Sequence, residues 1–265
     1  MDGGRQAWRA ALAMRFERNA GRTVLAARRH DGPLVVQKPL YPEGADICHA
    51  VLVHAPGGIA GGDALSLEAS LGPGARVLLT TPAATRWYKS AGIGAWLESR
   101  LDVASGSILE WLPSETIVFD QADCDSAAVI QLDSAAVYAG WEIVCLGRRA
   151  SGERFRTGRL RQSLDIRRDG RLLWSERIAL DGGDRLLQSP AGLGGHHVFG
   201  SMAVAAGTPP PTIIAACRVV SPRSGRVGVT APAEIFSARY LGDSAEDARD
   251  YFEALRGALR PWYAG

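Results

Sequence analysis

At 265 residues, with 46% hydrophobic and 22% charged side chains, the chain can bury a full core without disulfide staples. Its formal net charge of +2 is too small to argue for nucleic acid or an anionic membrane as partner. No run approaches the ~18 apolar residues of a membrane span, and the N-terminal apolar stretch, broken by Arg9 and Arg15, does not read as a signal peptide. The expected location is the cytoplasm.

In chain order the dominant period is two. Ile47–His54, Leu65–Leu71 and Ala75–Thr81 alternate apolar with polar residues, which predicts strands buried on one face. Thr81-Pro82 then reads as an N-cap with proline at the first helical position, predicting a helix over Ala83–Lys89. Strands are expected again at Leu97–Val103, Ala127–Leu132, Trp141–Leu146 and Leu160–Ile166. Asp169-Gly170 predicts a tight hairpin into Leu172–Ala179, because both central residues tolerate positive φ. Thr212–Val220 and Arg226–Thr230 read as further strands. Ser244 and Asp247 form a capping-box pattern. Ala248, Tyr251, Phe252, Leu255 and Leu259 follow at helical spacing until Pro261, where the helix is expected to stop. The sum is a mostly-β chain with two helices in one domain spanning 1–265. Alternation alone does not separate a sandwich, a barrel and a β-helix.

The four cysteines, Cys48, Cys124, Cys145 and Cys217, are widely spread and include no C-x-x-C pair. Each sits in an apolar stretch, where a free thiol behaves as a small core residue. The glycine-rich segment from His54 to Asp63 lacks the Lys-Ser/Thr of a phosphate loop, and the strand-like Ala64–Leu71 follows it rather than a helix. There is no G-x-S-x-G nucleophile elbow and no H-E-x-x-H zinc helix. His49 and His54, five apart on one strand, are expected on opposite faces. Adjacent His196 and His197 diverge in the same way unless Gly192–Gly195 bends the chain. Nine arginines fall between Arg148 and Arg171 with Phe155 as the sole aromatic; a solvated strand face or a protein-binding surface suits them better than nucleic acid.

Several blocks match one family in order. They are Val36-Gln37-Lys38-Pro39-Leu40-Tyr41-Pro42-Glu43-Gly44; Cys48-His49 with the Gly57–Asp63 loop; Leu79 to Tyr88; Glu110 to Ile117; Leu146 to Glu153; and Ala238 to Gly242. Together they resemble the urease accessory protein UreD (UreH) family over nearly the whole chain. Ala55 departs from it where a second proline is more usual, and relatives usually extend beyond Gly265 with a basic tail, so a shortened C-terminus is expected to weaken docking if that tail contacts a partner.

The resemblance implies a β-helical, strand-rich fold and a non-catalytic role, with UreF, UreG and apo-urease as partners and Ni²⁺ as transient cargo delivered to the urease active site. No tightly bound cofactor is expected. A conduit must hold the ion loosely, so isolated carboxylates and hydroxyls suit it better than clustered imidazole or thiolate. Asp63, Glu142 and Glu176 are the candidate carboxylates, with Thr80, Thr81 and Thr85 as hydroxyl partners. Asp63 and the threonines lie in the matching blocks, Glu142 interrupts an apolar run, and Glu176 alternates with Trp174 and Ile178. Two alternatives stay open: an adaptor that never touches nickel, and a metal-dependent hydrolase built on His49, His54, Asp63 and His196 or His197.

Overall fold

The computed structural model describes residues 7–265. β1 (Arg9–Asn19) and β2 (Arg22–Asp31) pair as an antiparallel hairpin, and β3 (Leu34–Val36) lies antiparallel to β4 (Ile47–His54). The chain then shuttles between two sheets. β5 (Ala64–Leu71) joins the first and β6 (Arg76–Thr80) the second; after the short β7 (Thr85–Trp87), β8 (Ala95–Val103) returns to the first and β9 (Ile108–Leu112) to the second. The short β10 (Thr116–Val118) pairs with β7, and the coils close with β11 (Asp123–Leu132), β12 (Val137–Leu146) and β13 (Arg159–Arg168). Each return lays a strand beside that of the previous coil, so β5–β8–β11–β13 and β4–β6–β9–β12 are parallel ladders. That pairing makes the fold β-helical; a sandwich of hairpins would be antiparallel.

The last third caps the coils. β14 (Arg171–Asp181) folds back on β13, through a turn in which Asp169 and Gly170 have φ of 49° and 78°. Both values lie in the left-handed region that an Asp-Gly hairpin turn requires. β15 (Val198–Ala205) runs antiparallel to β12; α1 (Pro211–Arg218), β16 (Arg226–Thr230), β17 (Phe236–Gly242) and α2 (Ala245–Tyr263) complete the chain.

Alternation in the second sheet serves two cores. Val77, Leu79, Leu109 and Tyr138 face the first sheet's Leu67, Leu101, Ile130 and Ile166. Leu78, Leu112, Trp141 and Ile143 face the other way, against Tyr251, Phe252, Leu255 and Leu259 of α2. Gly200 on β15 lets the helix approach: a Cβ there would stand 2.7 Å from the Phe252 ring. All four cysteines are buried free thiols.

Four local expectations are corrected. Ala83–Lys89 is not a helix. Thr81 Oγ1 accepts the Ser114 N–H rather than capping helical amides, and Thr85–Trp87 pairs in parallel with Thr116–Val118. Thr212–Val220 is not a strand; Pro211 opens a helix there, and the amides of Ile213 and Ile214 bond to the Pro210 carbonyl. Ser244 does cap α2, accepting the Asp247 N–H, but the Asp247 carboxylate turns to Ser224 and Arg223 instead of closing a capping box. That helix also runs past Pro261 to Tyr263.

Candidate functional site

Between the sheets most inward positions are apolar, and at one region this rule breaks. His54 follows Leu52 in phase on β4, Ser99 precedes Leu101 on β8, and Ser126 shares the phase of Ile130 on β11. Gln162 follows Leu160 on β13 and Glu142 precedes Val144 on β12. Ladder register sets Ser126 directly beside Gln162, and Thr85 beside Thr116. With Thr81, Trp87 and Trp111, these side chains line an internal cavity of about 100 Å³, room for several waters. The Nε2 atom of His54 is buried with no hydrogen-bond partner among the described residues. Burial pushes the His54 imidazole below its ordinary pKa, against the opposing pull of Asp63.

A second, open space of about 470 Å³ shares two of these residues, Glu142 and Gln162, and adds Glu176, Ser201 and Arg239. Glu142 therefore faces both the inner cavity and an outer mouth. The Gln162 amide donates to Glu142 Oε2. Burial first, and the nearby Glu176 carboxylate second, raise the Glu142 pKa to about 7. At the mouth Glu176 is ion-paired with Arg239, and the Trp174 indole N–H points at its other oxygen from 3.5 Å.

The candidate residues thus divide. Glu142, Glu176, Thr81 and Thr85 each line one or both of these spaces, which share Glu142 and Gln162. Thr80 stands apart, donating from Oγ1 to the Leu112 carbonyl at 2.6 Å. Asp63 is fully buried and lines neither space; its two oxygens accept the Trp8 and Ala60 N–H groups, both at 2.8 Å. Asp63→Ala is expected to leave two amides without those acceptors and to lower stability by about 2–4 kcal/mol, read from chemical denaturation.

The family scan matches the description "UreD urease accessory protein" over residues 9–265. A urease accessory protein UreD from Methylobacillus flagellatus is 51% identical, covering 97% of this chain and 90% of its own length. Those of Azoarcus sp. and Pseudomonas aeruginosa are 47% and 45% identical, over 97% and 98% of this chain and 90% and 92% of their own lengths. The chain belongs to the UreD urease accessory protein family.

Within this family member, the histidines of the hydrolase alternative are dispersed. His49 bonds Glu43 at 2.8 Å while His54 faces the cavity, the opposed pair that alternation requires. His196 and His197 do not diverge: positive φ at Gly194 and Gly195 bends the chain, so both Nδ1 atoms reach Asp243, at 2.9 and 2.7 Å. Among the described residues no three His, Cys, Asp or Glu side chains group as a metal site. Residues not singled out from sequence, Ser99, Thr116, Ser126 and Gln162, carried a readable signal: each is a polar side chain in the apolar phase of its strand.

Proposed function

We propose that this chain bridges apo-urease to UreF and UreG and passes Ni²⁺ through the space between its two sheets, without catalysing a reaction of its own. One observation carries the reading: Glu142 lines both the outer mouth and the inner cavity. An ion arriving at Glu176 displaces Arg239, meets Glu142 next, and then has only hydroxyls, an amide and one imidazole around it. Such donors, with retained waters, bind a divalent first-row metal too weakly to trap it. The Glu142 proton is the exchangeable element, leaving as the cation approaches and returning after it departs. Asp63 acts in this scheme through its field on His54 and by holding the neighbouring loop. The setting proposed is the cytoplasm; among the described residues no helix is long and apolar enough to cross a membrane.

The test is urease activation with purified UreF, UreG and apo-urease. Glu176→Ala is expected to lower the nickel content of urease severalfold while pull-down still recovers the complex. Unchanged nickel content would overturn the conduit and leave the adaptor reading.

A further inference from the structure

The arginine-rich segment of the sequence resolves into two groups. Arg148 pairs with Glu153, Arg159 with Asp123, Arg161 with Asp181, Arg167 with Asp165, and both Arg168 and Arg171 with Glu234. Arg149, Arg154 and Arg156 remain, and among the described residues none of them forms an ion pair. All three line one recess of about 270 Å³, together with His196 and His197. Its apolar wall includes Phe155 and Leu187, both buried.

Two further observations make this recess a site rather than a charged surface. The Nε atom of Arg149 is buried with no hydrogen-bond partner among the described residues. A guanidinium N–H removed from water without an acceptor is costly, so something absent from the chain itself is expected to supply one. The local acids are also committed elsewhere. Asp184 lines the recess, but its Oδ1 accepts the Leu186 N–H at 2.8 Å, and Asp243 is occupied by the two imidazoles. Three guanidinium groups against the single Asp184 carboxylate in the lining leave the field inside positive, which opposes a cation held by the histidine pair and favours an anion.

We propose that this recess binds an oxyanion of the carboxylate or phosphate class, with the half-buried Arg149 as the inner donor and the exposed Arg154 and Arg156 as outer clamps. Guanidinium groups present forked N–H donors that match the paired oxygens of either class. The volume accommodates the charged head of a small molecule or the tip of an acidic side chain from a partner protein. It is separate from the inter-sheet cavity, and its occupancy does not depend on nickel passing through the chain.

The full-length chain titrated with inorganic phosphate at constant ionic strength, followed by calorimetry, is the direct test. Saturable binding is expected, weakened about tenfold or more in Arg149→Met, the loss of one charge-assisted bond. A surface control, Arg100→Gln, is expected to bind as the wild type does. If Arg149→Met folds poorly, the exposed pair Arg154→Gln/Arg156→Gln provides the same comparison. Glutarate, as a probe of side-chain carboxylate, assigns the source: competition stronger than phosphate indicates an acidic partner residue, weaker competition a phosphorylated ligand. Absence of saturable binding by both anions, or equal binding by wild type and the arginine variants, would overturn the proposal.

Discussion

Glu142→Gln is expected to cut nickel loading of urease about tenfold or more near pH 8 while making the accessory chain itself more stable. Glutamine keeps the shape and a hydrogen bond to Gln162 but removes the one carboxylate that, among the described residues, lines both the mouth and the inner cavity. The stability change follows from linkage. Folding raises the Glu142 pKa from 4.5 to about 7, so between those values the folded state binds more protons than the unfolded state. Stability is therefore fully present below the unfolded value, declines as pH rises through the folded value, and is flat above it. The cost near pH 8 is on the order of 3 kcal/mol, and the neutral amide avoids it. Under the proposed conduit, nickel transfer is expected to run the other way, rising from roughly pH 6 to 8 as the carboxylate ionises. Two measurements on one variant, denaturation midpoint and nickel per urease, should move in opposite directions between wild type and Glu142→Gln. A variant that is less stable at pH 8, or that loads nickel normally, would refute the assignment.

That this carboxylate was visible from sequence has a physical cause. In a strand with period two, a polar residue in the apolar phase is forced inward whatever the topology, so Glu142, Glu176, His54 and Gln162 declare themselves one strand at a time. What alternation leaves open is which strands are neighbours. The spacing from Ser99 to Ser126 to Gln162 becomes a cavity wall only because parallel coils stack Leu97 on Ser126 and Ser126 on Gln162. Asp63, read from its place in a matching block, shows what alternation leaves unsaid: backbone amides of its own loop and of Trp8, 55 residues distant, bond to both its oxygens. The Thr81-Pro82 signal failed through such a contact: a distant amide, that of Ser114, took the capping hydroxyl. At Pro211 the local signal was sound, since proline at the first helical position marks a helix, but the β-branched run Thr212, Ile213 and Ile214 masked it.

Removing the Glu110 side chain is expected to undock α2. Glu110 lies on β9 in the phase that faces the helix, and its side chain is only 4% exposed. Arg256 holds it through two bonds, Nε to Oε1 at 2.7 Å and Nη2 to Oε2 at 3.0 Å, and the Tyr263 hydroxyl donates to Oε1 at 2.6 Å. Burial alone would raise this carboxyl's pKa; the bonds from Arg256 and Tyr263 outweigh it and hold the value below the ordinary 4.5. Tyr263 reaches the site because α2 continues past Pro261, so the helix overrun and the buried acid are one device. Glu110→Ala leaves the half-buried Arg256 cation without its main partner, at a cost of about 3–5 kcal/mol, or roughly 10 °C in melting temperature for a chain of this size. Tyr263→Phe removes one charge-assisted bond and should cost about 1.5–3 kcal/mol. The double change Glu110→Leu/Arg256→Met removes both charges together and is expected to cost less than Glu110→Ala, because the desolvation penalty of the ion pair goes with it and the Tyr263 hydroxyl alone is left without its acceptor. The pH dependence has the opposite sign to that at Glu142. The lowered carboxyl contributes stability present above its unfolded value and lost as pH falls through its folded value, so this part of the acid sensitivity of α2 should be present in the wild type and missing from the double variant. If Glu110→Ala matched the double variant in stability, the ion pair would not be what fastens the helix to the coils.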